Sequence, residues 1–125
     1  MAMTDVNSQL PRIKLKKPVE QRDLIRFIVG SSGLVASDIV AMIYQLRDCL
    51  LHYLEDGVPL RLEGIGIFTP TIKLDGTIQI RFRADKSLVR ELNQQNYLKK
   101  RIINRKNIGK SLKELEELVN MNSTD

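Results

Sequence analysis

Gly57-Val58-Pro59-Leu60-Arg61-Leu62-Glu63-Gly64-Ile65-Gly66-Ile67-Phe68 is the stretch that decides the fold. Gly57 suits the residue just past a helix end, and Pro59 forbids any continuation of that helix. Leu60 and Leu62 then alternate with Arg61 and Glu63, the pattern of a strand with one apolar face. Gly64-Ile65-Gly66 reads as a tight turn, and residues 67–74 as a second strand. Pro70 places that strand at an edge or a bulge. Asp75-Gly76 is a two-residue hairpin signal. After it, residues 77–83 alternate cleanly, with Ile78, Ile80 and Phe82 on one side and Thr77, Gln79, Arg81 and Arg83 on the other. The expectation is a three-stranded antiparallel meander.

The period changes on both sides of this meander. Upstream, Ile39, Ile43, Leu46, Leu50 and Leu54 give residues 36–56 the apolar stripe of a long helix, with Ser37 as its candidate N-cap. Leu24, Ile25, Phe27 and Ile28 mark a shorter helix before it, ended by Gly30-Ser31-Ser32-Gly33. Downstream, a third helix starts near Asp85 or Lys86 and carries Leu88, Val89 and Leu92. Ser111 and Glu114 have capping-box spacing and open a last helix, with Leu112, Leu115, Leu118 and Val119 on one side. Residues 12–16 alternate between Pro11 and Pro18, as a short strand would. The fold class is α+β. Two helices on three strands leave one sheet face open, and the long helix needs a second layer over its stripe, so an intertwined dimer is expected.

A chain of 125 residues fits one domain with tails. The tails are an N-terminal arm, residues 1–18, and a basic extension with a terminal helix, residues 97–125. The domain lies between, at 19–96. The core must be aliphatic, since there is no Trp. The lone Cys49 can form no internal disulfide, reads as a small buried core residue, and fits a reducing cytoplasm. No apolar run has the length of a membrane span, and the N-terminus shows no signal peptide. His52 is the only histidine, and with Cys49 three residues away it supplies two ligands where zinc takes four. No metal, cofactor, small-molecule substrate or catalytic set is expected, and so no enzyme. The net charge of +5 is unevenly spread: residues 97–110 hold six basic residues and no acidic one, and residues 1–18 hold four basic and one acidic. Such clustering is the footprint of a polyanion partner.

Three stretches resemble the HU/IHF family of bacterial nucleoid DNA-binding proteins. Asp23-Leu24-Ile25 with Gly33-Leu34 and Asp38 is similar to that family's first helix and the start of its second. The stretch from Gly57 to Phe68 resembles its helix end, first strand and G-F-G-T-F turn. Phe82-Arg83-Ala84-Asp85-Lys86-Ser87-Leu88-Val89-Arg90 resembles its passage into the third helix. The likeness covers residues 20–95. It implies a histone-like, nucleoid-associated homodimer that binds double-stranded DNA through its phosphates with little regard to sequence. The alternative is a protein-interaction scaffold of the same fold that has lost DNA binding. The family carries a long β-arm tipped by Arg-Asn-Pro; here Asp75-Gly76 closes the hairpin at once, and Asp85 stands where the family has a small residue.

In that family the outer sheet face forms the saddle on the duplex. Strand alternation sends Leu60, Leu62, Phe68, Ile72, Ile78, Ile80 and Phe82 inward. It sends Arg61, Thr69, Thr71, Lys73, Gln79, Arg81 and Arg83 outward, together with Glu63. Lys86 and Arg90 open the third helix, whose N-terminal amides favour an anion. The basic run Lys99, Lys100, Arg101, Arg105 and Lys106 is a second candidate, as a helix or an ordering tail along a phosphate backbone. Within it Ile102, Ile103 and Ile108 point to packing on a partner subunit.

Overall fold

The computed structural model describes residues 6–94 and 98–123. They fall into two compact units, one formed by residues 17–92 and one by the described residues of the two chain ends, before residue 17 and after residue 92.

The first unit opens with helix α1 (Gln21–Ser31), where the Asp23 carboxylate accepts the Glu20 main-chain N–H at 3.3 Å. Ser31 and Ser32 end it by donating their hydroxyls to the carbonyls of Phe27 and Ile28. Helix α2 (Ala36–Glu55) follows. Its N-cap is Val35, without a side-chain cap, so Ser37 lies inside the first turn and not at the cap position expected for it. The C-terminus closes as a Schellman motif: Gly57 N–H bonds Leu54 O at 3.0 Å, Val58 N–H bonds Tyr53 O at 3.0 Å, and Gly57 takes φ +73°. The side chain of Ile39 is buried, but Cys49, expected in the core, is exposed.

Strands β2 (Leu60–Leu62), β3 (Gly66–Ile72) and β4 (Ile78–Ala84) form an antiparallel sheet in sequence order. The first turn is closed by Ile65 N–H to Leu62 O at 3.0 Å, with Gly64 at φ +79°. Gly66 comes next because nothing larger fits: a Cβ there would lie 2.4 Å from the Arg83 carbonyl and 2.7 Å from the Phe82 ring. Phe68 and Phe82 pair across the sheet with centroids 4.8 Å apart. The second hairpin differs from the two-residue turn that Asp75-Gly76 suggests. Lys73 and Thr77 are still bonded at 2.9 Å, so the loop is the three residues 74–76. Gly76 closes it on the Lys73 carbonyl and, at φ +91°, supplies the left-handed residue of such a loop. Asp75 accepts the Thr77 N–H at 2.9 Å, which holds its carboxyl below the usual range.

Helix α3 (Lys86–Gln94) leaves the sheet directly, and the Asp85 N–H bonds back to Ile65 O at 2.8 Å. On the apolar sheet face, Ile78 is 66% exposed, Ile80 60% and Phe82 47%. Between α2 and that face runs an apolar groove of about 380 Å³, lined by Leu50, Leu51, Leu54, Pro70, Ile78 and Ile80.

The second unit joins the N-terminal arm to the C-terminal extension, two segments expected to be separate. Strand β1 (Arg12–Ile13) pairs antiparallel with β5 (Ile102–Ile103), Arg12 opposite Ile103 and Ile13 opposite Ile102. Ile102 and Ile103, expected to pack on a partner, thus pair with this chain's own N-terminal strand. The basic run is no helix: it forms 3-10 turns at Leu98–Arg101 and Arg105–Asn107 on either side of β5. Helix α4 (Leu112–Ser123) begins at the expected cap, with Ser111 Oγ accepting the Glu114 N–H at 3.2 Å. Leu115 and Val119 are buried along with Val6, whereas Leu112, placed on the same stripe, is exposed.

Candidate nucleic-acid interface

The sheet register fixes which side chains share the polar face. Arg61, Ile67 and Arg83 stand in one cross-strand row, Thr69 is opposite Arg81, and Thr71 is opposite Gln79. Lys73 continues the same face at the hairpin end. One face of the first unit therefore gathers Arg61, Lys73, Arg81 and Arg83, interleaved with hydroxyls and an amide. Cations and hydroxyls are groups that suit phosphate oxygens.

At the helix end of this face lies a polar depression of about 370 Å³, lined by Arg61, Ile67, Arg83, Asp85 and Lys86 together with the Gly66 and Ala84 backbone. Asp85 is the one acidic residue of its lining. Its carboxylate accepts both the hydroxyl and the main-chain N–H of Ser87, the latter at 3.0 Å. The Ser87 hydroxyl, then the Ser87 N–H, and then the charges of Arg61 and Arg90 hold the Asp85 carboxyl below the usual range. In the first turn of α3, whose amides are expected to favour an anion, the Ser87 amide thus already binds a carboxylate of the chain's own. Asp85-Lys86-Ser87 carries the local signal for this, an Asx residue just ahead of a helix.

The remaining candidates belong to the other unit. Lys99, Lys100, Arg105 and Lys106 are exposed there. Arg101 is partly committed, since its Nε and Nη2 both lie 3.3 Å from the Lys14 carbonyl, while the Arg101 carbonyl accepts the Lys14 N–H at 2.7 Å. These bonds bring Arg12 and Lys14 beside the basic run, neighbours that charge counted along the chain assigns to a separate arm. Two asparagines with no periodic signal around them, Asn104 and Asn107, bond the carbonyls of Ser8, Gln9 and Leu10 just ahead of this pairing. His52 contacts only the neighbouring Tyr53 ring, at 5.0 Å, among the ring contacts of the described residues. No group of three metal-binding side chains occurs among the described residues.

Over residues 3–100 the chain matches the family model described as an HU domain fused to a wHTH, Ig or glycine-rich motif. The chain belongs to this HU-HIG family. The match spans all of the first unit, so the basic sheet face and the Asp85 depression are features of its HU domain. No curated protein is significantly similar to the chain. No helix among the described residues is long and apolar enough to cross a membrane.

Proposed function

We propose that this HU-HIG protein is a histone-like binder of double-stranded DNA, acting as a homodimer by binding alone, without catalysis, and associated with the nucleoid. The observation that carries the reading is the register that aligns Arg61 with Arg83 and sets Arg81 on the same polar face of an HU domain. Such a face contacts phosphates and carries no base identity, so binding is sequence-tolerant. A dimer is supported by the open apolar sheet face and by the groove beside α2, which a second copy would cover. The hairpin closes at residues 74–76 and offers no wedge to enter a minor groove, so the complex bends DNA little.

The scaffold reading has one observation in its favour. The unit of residues 17–92 holds ten basic and ten acidic residues and is electrically neutral. Duplex titrations at several salt concentrations separate the two. A DNA binder neutralising about six phosphates shows log K falling against log salt with a slope of roughly −5. Replacing Arg81 and Arg83 together by Ala weakens binding to all duplexes alike and flattens the slope. Absence of binding at low salt would establish the scaffold reading instead.

A further inference from the structure

The whole net charge of the chain resides in the unit built from its two ends. Residues 1–16 and 93–125 hold ten basic and five acidic residues, +5, against zero for residues 17–92. Three of the five acidic side chains, Glu114, Glu116 and Glu117, lie on α4. The cations lie elsewhere. Arg12 and Lys14 are two apart on the N-terminal strand, and Lys14 bonds main chain to main chain with Arg101. By strand alternation Arg12, Lys14 and Arg101 share one face of the ribbon. Lys99 and Lys100 lie in the adjoining 3-10 turn, and Lys16 follows Lys14 by two residues on the N-terminal segment. Arg12, Lys14, Lys16, Lys99 and Lys100 are all exposed.

The ribbon is held by side chains suited to that task. Asn104, at φ +60°, donates to the carbonyls of Ser8 at 2.6 Å and Leu10 at 3.0 Å. Asn107 donates to the carbonyl between them, Gln9, at 2.7 Å. Three successive carbonyls of the N-terminal segment are therefore gripped from the C-terminal one. That grip aligns charges separated by more than eighty residues of sequence.

We propose that the two chain ends together form a duplex-binding surface of their own, in which Arg12, Lys14 and Lys16 act jointly with Lys99 and Lys100 on a phosphate backbone. The partner is a nucleic acid because the surface is a two-stranded ribbon with closely spaced cations. The duplex is the form to which we commit, because it presents the denser row of phosphates, about one charge per 1.7 Å of axis, to cations set two residues apart. This inference does not require the sheet face to bind DNA.

The test uses the full chain in three versions: the parent, Arg12→Gln/Lys14→Gln/Lys16→Gln, and Lys99→Gln/Lys100→Gln. Each is titrated with a 30-base-pair duplex over a salt series, with circular dichroism as a check on folding. All five side chains are exposed, so the fold is expected to survive. The N-terminal variant should lose tenfold or more in affinity at low salt, and its slope should flatten by about 0.9 for each phosphate no longer neutralised. The second variant should behave likewise. Unchanged affinity and slope in the N-terminal variant would overturn the proposal. So would a loss confined to anionic phosphatidylserine vesicles with duplex binding intact. Arg81→Ala/Arg83→Ala is run in parallel. If it binds like the parent while the N-terminal variant fails, the sheet-face reading falls and this one stands; the reverse result removes this one alone.

Discussion

The side-chain nitrogen of Asn107 donates to the Gln9 carbonyl across 2.7 Å and 98 residues of chain. The same side chain is 1% exposed, and its own oxygen is buried without a partner. With Asn104 it fixes the N-terminal segment against the C-terminal one. The two asparagines can be told apart by substitution. Asn104 sits in the left-handed region, which Gly and Asn visit readily and most other residues occupy only at a cost of about 1–2 kcal/mol. Asn104→Gly keeps that backbone and loses only the bonds to Ser8 and Leu10, while Asn104→Ala loses the bonds and adds strain. Hydrogen exchange at the Lys14 amide should therefore accelerate more in Asn104→Ala than in Asn104→Gly, and be slowest in the parent. Equal exchange in all three would mean that the clamp does not hold the ribbon.

Gly66 is required for a different reason, the approach of two strands. An added Cβ would meet the Arg83 carbonyl and the Phe82 ring, and the carbonyl belongs to a paired strand that cannot simply swing aside. Gly66→Ala should destabilise the fold by about 1–3 kcal/mol, as overpacking does. Thermal unfolding should show a clearly lowered Tm. The Gly57→Ala change offers a contrast, since its Cβ would meet nothing and only the left-handed φ resists it.

The HU unit is legible in the sequence because its signals are local. Gly57 with Pro59, Gly64 with Gly66, and the alternation of residues 77–83 each decide a turn or a face within a few residues. The differences inside it are of one residue's geometry: Val35 for Ser37 at the α2 cap, and three loop residues for two at Asp75-Gly76. In the terminal unit, alternation at residues 12–16 marks a strand and Ser111 with Glu114 marks a helix start, but the pairing itself is not legible: Ile102–Ile103 is too short to show a period, and it pairs with Arg12–Ile13 across almost the full chain. The basic run looks helical or unstructured because Asn104, its left-handed break, has no composition cue beside it. In sequence, Asp85 is only a departure from the family pattern. Its role as a cap that sits among Arg61, Lys86 and Arg90 needs the sheet register.

Asp75 and Asp85 also set an acid limit. Both carboxyls are held below their ordinary value, by the Thr77 and Ser87 donors in the first place. A carboxyl with a lowered folded pKa contributes stability that is fully present above the unfolded value, about 3.9, and is lost as pH falls through the folded value. Denaturation midpoints should therefore not change from pH 7 to 5 on account of these groups and should drop below about pH 4. Asp75→Asn and Asp85→Asn should each make that acid drop shallower. An unchanged acid profile in both variants would show that other groups control it.

Ile78 and Ile80 test the dimer. Both are well exposed in the protomer, so a charge there costs the isolated subunit little. In a dimer that covers this face, the same charge would be buried and unpaired, at a cost of several kcal/mol. Ile80→Lys should shift sedimentation from dimer towards monomer or abolish folding, while Ile13→Lys, on the terminal ribbon, should leave the association state unchanged. A parent protein that sediments as a folded monomer at micromolar concentration would remove the dimer reading.

Asp85 carries the sharpest prediction for DNA binding. Its carboxylate is ionised at neutral pH and stands in the depression that Arg61, Arg83 and Lys86 line, where it takes the donors that a phosphate would use. Asp85→Ser keeps a side-chain oxygen at the helix N-terminus, so the cap survives, and removes the charge. If the sheet face meets the backbone, this variant should bind duplex DNA several-fold more tightly at low salt. Its salt slope should become steeper by about 0.9 if one more phosphate is seated. The gain should shrink at high salt, where screening reaches exposed charges first. A neutral scaffold face gives none of these effects. Asp75→Ser is the control, because it removes the same charge at the hairpin loop, away from the depression. Equal gains in both variants would reduce the effect to net charge, while a gain confined to Asp85→Ser places the phosphate path at Arg61, Arg83 and Lys86.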